Sequence, residues 1–216
     1  MNGTGLHDVR NGTSGLQYEE NGAMFHGFGF LPYLLDTHFD HRGRLGRIVP
    51  AQLQTKHDLA IGIDEPACLY YNNGIGTVYG KGGVFFTDIT KATRNVKTYF
   101  NINNVLLSYL TAGDTYDFKQ KLFVPSPTKH LITAPVHKTH QDSNDILSSY
   151  ECTAILNHLI DQVPLFNVGK TKTPKAFPHT TPTFKLTFQK DNQTQGYFST
   201  SEKLYMVSQA LIHFSY

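Results

Sequence analysis

The sequence predicts an α/β protein. Three observations carry that class: stretches with apolar residues at helical spacing, short strand-like runs on either side of them, and turn-forming Gly, Pro and Asn between the runs. Size and composition agree. The chain has 216 residues, 39% hydrophobic and 17% charged, with 15 Phe and 12 Tyr, enough for a packed core and too apolar for a disordered chain. A formal net charge of +2 is too small for a nucleic-acid-binding surface. No apolar run approaches the roughly 20 residues that a membrane-spanning helix needs. Two cysteines, Cys68 and Cys152, make no disulfide framework.

The elements follow in order. Residues 1–22 are rich in Gly, Asn and Thr and read as loop. Residues 23–31 contain alternating Gly and Phe and predict a buried strand. Residues 33–35 predict a second, short strand with Asp36 at its end. Over 41–53, Leu45, Ile48, Val49, Gln52 and Leu53 recur at helical spacing, so a helix follows, which Pro50 is expected to kink or end early. Residues 59–63 predict a short buried strand, terminated by Asp64-Glu65-Pro66 because Pro cannot donate to a ladder. Strand-like runs come next at 67–71, 76–79 and 83–88, and Asn72-Asn73-Gly74 forms a hairpin turn. Cys68, inside the first of these runs, reads as a small buried apolar residue. Residues 105–110 and 115–124 continue the β character, and 125–142 read as a linker. In 143–162, Ile146, Leu147, Tyr150, Ala154, Ile155, Leu159 and Ile160 have helical spacing, with Ser143 or Asn144 as the cap. Segments near 184–188, 196–200 and 204–214 are β-like.

Chemistry concentrates between Gly27 and Glu65. A strand delivers Asp36-Thr37-His38 to its carboxyl end, and a second strand delivers Asp64-Glu65. Ligands bind at the carboxyl ends of strands in α/β sheets. A histidine and a carboxylate at neighbouring strand ends form the base-and-orienter half of a nucleophilic triad. Three of the five arginines, Arg42, Arg44 and Arg47, fall within six residues just after His38. Guanidinium is the side-chain group best shaped to grip a carboxylate or phosphate. On the residues alone a plainer reading stands beside this one. His38 would then be a surface residue, and the arginines would pair with Asp36, Asp40 or Glu65 for about 0–1 kcal/mol each.

The run Leu35-Asp36-Thr37-His38-Phe39-Asp40-His41-Arg42-Gly43-Arg44-Leu45-Gly46-Arg47 closely resembles the D-Q-H-F-x-x-R-x-R-x-x-R signature of cyanophycinase, a serine peptidase family that also contains aspartyl dipeptidase. Gly27-Phe28-Gly29-Phe30-Leu31-Pro32 is similar to the strand before that signature. Gly62-Ile63-Asp64-Glu65 is similar to its G-I-D-E. Residues 80–88 resemble its G-x-G-x-V-x-x-x-D hairpin, and Ala112-Gly113-Asp114-Thr115-Tyr116-Asp117 its late G-D-x-Y-D. The resemblance covers residues 23–118 with the motifs in the same order. It implies His38 as the triad histidine and Glu65 as the triad glutamate. It places Asp36, Thr37, Arg42, Arg44 and Arg47 at substrate-pocket positions. The family's polymer substrate has a poly-aspartate backbone with arginine on each β-carboxyl. Arginines on the enzyme suit its carboxylates, and Asp36 suits a substrate guanidinium.

Two departures from the pattern matter. Thr37 stands where the family has Gln, and it offers no amide. The family's serine lies in G-T-S-A-G-A on a strand-to-helix turn, several tens of residues before the histidine. Asn11-Gly12-Thr13-Ser14-Gly15 is superficially similar but lacks the preceding strand and the following helix, and it sits too close to His38. The resemblance therefore implies a three-layer, class I glutamine-amidotransferase-like (flavodoxin-like) sandwich, N-terminally incomplete. The chain then divides into a loop-like start (1–22), the C-terminal part of a peptidase domain (23–142), and an accessory extension of helix plus β segments (143–216). The expected function is a serine-type peptidase acting on β-aspartyl-arginine polymer or acidic peptides, inactive as the chain stands. The alternative is a non-catalytic relative that binds acidic peptides or a partner chain. Expected partners are the peptide substrate and either a second copy or the missing N-terminal segment supplied in trans.

No cofactor or metal is expected. His38-x-x-His41 with Asp40, and His137-x-x-His140 with Asp142, lack the remaining ligands of a metal site. Gly80-Lys81-Gly82-Gly83 lacks the GxxxxGK[ST] phosphate loop and reads as a hairpin turn.

Overall fold

A computed structural model of the chain describes residues 30–94, 101–171 and 184–215. The strand expected at 23–31 lies outside these residues except for Phe30 and Leu31, which form a bend. The chain is mixed α/β with a sheet-dominated core. In order, the elements are β1 (Leu34–Thr37), α1 (Leu45–Thr55), β2 (Leu59–Ile63), β3 (Ala67–Asn72), β4 (Ile75–Gly80), β5 (Val84–Asp88), β6 (Thr93–Arg94), β7 (Ile102–Leu110), β8 (Thr115–Asp117), β9 (Leu122–Val124), β10 (His130–Leu131), α2 (Glu151–Ile160), β11 (Phe166–Lys170), β12 (Lys185–Gln189), β13 (Gln195–Ser199) and β14 (Leu204–Ser215).

The larger sheet has ten strands along the path β1-β2-β5-β7-β14-β12-β11, with β6, β10 and β13 at its margins. Among its described strand pairs only β1 and β2 run parallel, joined by α1 as a βαβ unit. The smaller sheet is β3-β4-β8-β9, antiparallel throughout.

Alternation along the strands builds two cores, one on each face of the larger sheet. Ala60, Phe85 and Leu107 turn toward Leu45, Ile48 and Val49 of α1 and Ile155, Leu156 and Leu159 of α2. Their neighbours Ile61, Val84, Phe86 and Leu110 turn the other way, onto Val78 and Tyr116 of the smaller sheet. The described layers are thus helix, sheet, sheet. Residues of the C-terminal third take part in both cores, because the long β14 lies against β7 in the middle of the sheet.

Several expectations need correction. Pro50 does not end α1, which runs on to Thr55. Burial of Leu45, Ile48, Val49 and Ala51 outweighs the lost backbone hydrogen bond. Residues 80–83 are not a hairpin turn. β4 pairs with β3 and β8, whereas β5 pairs with β2 and β7, so this glycine run carries the chain from one sheet to the other. Residues 125–142 are no loose linker, since Ser126 and Lys129 bond to Asp114 and β10 pairs with β13. The helix expected from Ser143 starts only at Glu151, because Ser143 is engaged with β11 through Val168 and Lys170. Cys68 is exposed, since its register places it on the outer face of the smaller sheet. The Asn73-Gly74 turn forms as expected, both residues with positive φ between the paired Asn72 and Ile75.

Candidate active site

The parallel register of β1 and β2 sets Thr37 opposite Ile63, so the residues that follow each strand emerge side by side. His38 follows β1 directly, with a left-handed backbone (φ 51°). That conformation is uncommon for a residue with a side chain, though histidine tolerates it better than most. It lets the next residue, Phe39, turn fully into the core while His38 stays partly exposed. Phe39 donates its N–H to the Ile63 carbonyl (3.4 Å) and lays its ring over Gly62. A Cβ at residue 62 would stand 2.3 Å from that ring, which is why the close approach needs glycine.

His38 Nδ1 lies 2.6 Å from Glu65 Oε1, with the side chains 32% and 60% exposed. The contact is at ion-pair distance without the in-line geometry of a hydrogen bond. Such contacts are often poorly aligned in unliganded sites and tighten with substrate.

Two buried aspartates, Asp64 and Asp40, to which the sequence assigned no anchoring role, hold the loops carrying this pair. Asp64 accepts the backbone N–H groups of His41 (3.2 Å) and of Glu65 (3.0 Å), tying the end of β1 to the end of β2. Burial pushes its carboxyl above the usual range, and these bonds partly offset the shift. Asp40 accepts the N–H groups of Cys152 (3.2 Å) and Thr153 (2.8 Å) and the Thr153 hydroxyl. It therefore caps α2 from more than a hundred residues away, while Tyr150 at the helix's own cap position supplies no side-chain bond. Burial raises the Asp40 carboxyl to about 6 despite these bonds. Gly43 (φ 57°) is pressed so closely on Leu147 that a Cβ would meet its carbonyl oxygen at 2.0 Å. The site loop is thus clamped by residues 147–153, a long-range partnership with no local sequence signal.

Of the pocket residues, Asp36, Arg44 and Arg47 come together, but with one another. Arg47 binds both oxygens of Asp36 (2.9 and 2.8 Å), and Arg44 Nη1 reaches Asp36 Oδ1 (2.7 Å) and the Thr37 carbonyl (2.6 Å). All three are buried. Asp36 does meet guanidinium groups, as its chemistry invites, and they belong to its own chain. Thr37 and Arg42 are exposed beside His38. Among the described residues no Ser, Thr or Cys side chain is hydrogen-bonded to the His38 ring. Among the described residues no group of three or more His, Cys, Asp or Glu side chains is placed to hold a metal. No described helix is long and apolar enough to cross a membrane.

No protein-family model matches the chain. Two cyanophycinases, from Trichormus variabilis and from Nostoc sp., are each 31% identical to it over 131 residues, covering 56% of this chain and 44% of the relative. The cyanophycinase of Synechococcus elongatus is 32% identical over 101 residues, 43% of this chain and 31% of the relative. The chain spans less than half the length of these curated relatives. Similar to several cyanophycinases at this level over about half its residues, the chain is cyanophycinase-like.

Proposed function

We propose that this chain carries the histidine–glutamate half of a serine-type peptidase of the cyanophycinase kind. The reading rests on the His38–Glu65 contact of 2.6 Å at the carboxyl ends of adjacent parallel strands. In this mechanism the second ring nitrogen of His38, Nε2, takes the proton of an attacking serine hydroxyl and later delivers it to the leaving amine. Glu65 keeps the other proton on Nδ1 and stabilises the imidazolium as it forms. The substrate is an acidic or β-aspartyl peptide. Exposed Arg42 and Thr37 meet it directly. Beneath them the Asp36–Arg44–Arg47 cluster sets two cations against one anion, and its excess positive charge favours an approaching carboxylate. The same reading makes β1–α1–β2 a parallel unit of a class I glutamine-amidotransferase-like sandwich.

The sequence holds no G-T-S-A-G-A run of the kind that carries the family's nucleophile, so the 216 residues by themselves are expected to leave the polymer intact. The test joins this chain to the part of the Trichormus variabilis enzyme that precedes its matched region. The fusion is expected to release dipeptide from β-aspartyl-arginine polymer, and His38→Ala is expected to slow it by about 10²–10⁴-fold. A folded fusion without turnover, or turnover indifferent to His38→Ala, would overturn the reading. Turnover by the unfused chain would overturn its expected inactivity.

A further inference from the structure

The end of β2 remote from Glu65 opens onto a cavity of about 280 Å³ between the two sheets. Leu59, the first residue of β2, lines it, roughly 13 Å along the strand from Ile63. One wall is aromatic: Tyr33 stacks on Phe118 (centroids 5.0 Å), and Tyr116 meets the same ring edge-on (4.8 Å). Around it stand two cations, Lys56 and Lys121, and two carboxylates, Asp58 and Asp88.

None of these four charges forms an ion pair with a described residue. Asp88 is instead oriented by Thr90, whose N–H and hydroxyl both donate to Oδ1 (2.8 and 2.5 Å), which leaves Oδ2 for another partner. Tyr116 lines the cavity as well, and its hydroxyl, which is not sealed from solvent, bonds to no described residue. Burial, with Asp88 nearby, pushes this hydroxyl up to about 12, so it stays a neutral donor. A second cavity of similar volume adjoins the first and shares Leu59, Asp88, Tyr116 and Lys121 with it.

Lys56, Asp58 and Lys121 are exposed and Asp88 is half-buried, so all four charges are free to meet a ligand in the cavity. A ligand of a single sign would satisfy one pair and leave the other. A ligand carrying both signs satisfies all four, and an aromatic wall suits a flat cation. The volume is at the small end for ligand sites, which limits the occupant to about amino-acid size. We propose that this cavity binds a small zwitterion with a carboxylate and a flat cationic end, of the chemistry of free arginine. The carboxylate sits between Lys56, Lys121 and the Tyr116 hydroxyl, and the cation lies over the aromatic wall toward Asp58 and Asp88. The site is separate from the His38–Glu65 pair and stands whether or not that pair is catalytic.

The experiment is a titration of the whole chain with L-arginine, followed by NMR of the aromatic rings. Agmatine, which lacks the carboxylate, and citrulline, which lacks the guanidinium charge, are the controls. Arginine is expected to shift the Tyr33, Tyr116 and Phe118 resonances, and each control to bind about tenfold more weakly. Lys121→Gln, an exposed change that spares the core, and Tyr116→Phe, which keeps the ring packing, are each expected to weaken arginine binding several-fold. Equal binding of agmatine or citrulline, arginine shifts confined to other residues, no shift at tens of millimolar arginine, or binding unchanged in both variants would overturn the proposal.

Discussion

His38–Glu65 and Lys129–Asp114 both set a basic side chain 2.6 Å from a carboxylate, and both include residues from the motifs that resemble cyanophycinase. They differ in what surrounds them. Lys129 and Asp114 have side chains with no exposure. Asp114 also accepts the N–H groups of Thr111 and Ser126, and Lys129 also donates to the Thr111 hydroxyl. That network is closed and has nothing left to offer a ligand. His38 and Glu65 are partly exposed, the histidine holds a left-handed backbone, and their contact lacks hydrogen-bond alignment. A short contact between a basic side chain and a carboxylate therefore does not separate scaffold from site. Exposure, backbone strain and unfilled hydrogen-bonding capacity do.

Substitutions at each pair sharpen the contrast, and the largest stability effects belong to the buried charges. Asp114→Ala strands Lys129 and two N–H groups, and is expected to cost about 3–5 kcal/mol in denaturant titration. Asp36→Ala strands Arg44 and Arg47, and a loss of similar size, about 3–5 kcal/mol, is expected. A small loss at either position would place it outside the scaffold.

Asp40 lies between the two kinds, a structural carboxylate whose protonation has a readable consequence. Removing the cap by Asp40→Ala is expected to cost about 1–2 kcal/mol. The pH dependence follows from the carboxyl being raised from 3.8 to about 6 by burial. The folded protein holds this proton more tightly than the unfolded chain, so the contribution is greatest at low pH. It fades as pH rises from about 4 through 6, by up to roughly 3 kcal/mol. Relative to Asp40→Asn, which cannot titrate there, the wild type is expected to gain stability between pH 7 and pH 4. An unchanged difference across that range would rule out the raised carboxyl.

The smallest stability effect is expected at Arg42. Arg42→Ala at this exposed position should change stability by no more than about 0.5 kcal/mol. In the active fusion it should raise KM several-fold and leave kcat nearly unchanged, because it removes a substrate contact remote from the bond being cleaved. A change in kcat alone would move Arg42 out of the binding role.

The local rules recovered β2, the β3–β4 turn and β14, because each is written in a few adjacent residues. That a carboxylate from Asp64-Glu65 would stand near His38 was legible for the same reason, as two motifs at consecutive strand ends; the choice of Glu65 came from the resemblance. What stayed hidden depends on distance along the chain. Asp40 as the cap of α2, Ser143 drawn off to β11 and the glycine run between the sheets are all set by partners that no window of sequence contains. The burial of Asp36 under Arg44 and Arg47 lay partly in view, since residues 36, 44 and 47 sit near one another. Charge counting alone could not show that the two arginines would spend themselves on it.

The most direct measurement is a double-mutant cycle on kcat/KM in the fusion, with His38→Ala, Glu65→Gln and both together. If Glu65 acts only through His38, His38→Ala costs about 10²–10⁴-fold, Glu65→Gln costs less, and the double variant is no slower than His38→Ala alone. Losses that multiply, or a Glu65→Gln variant as fast as the parent, would contradict a histidine base oriented by this glutamate.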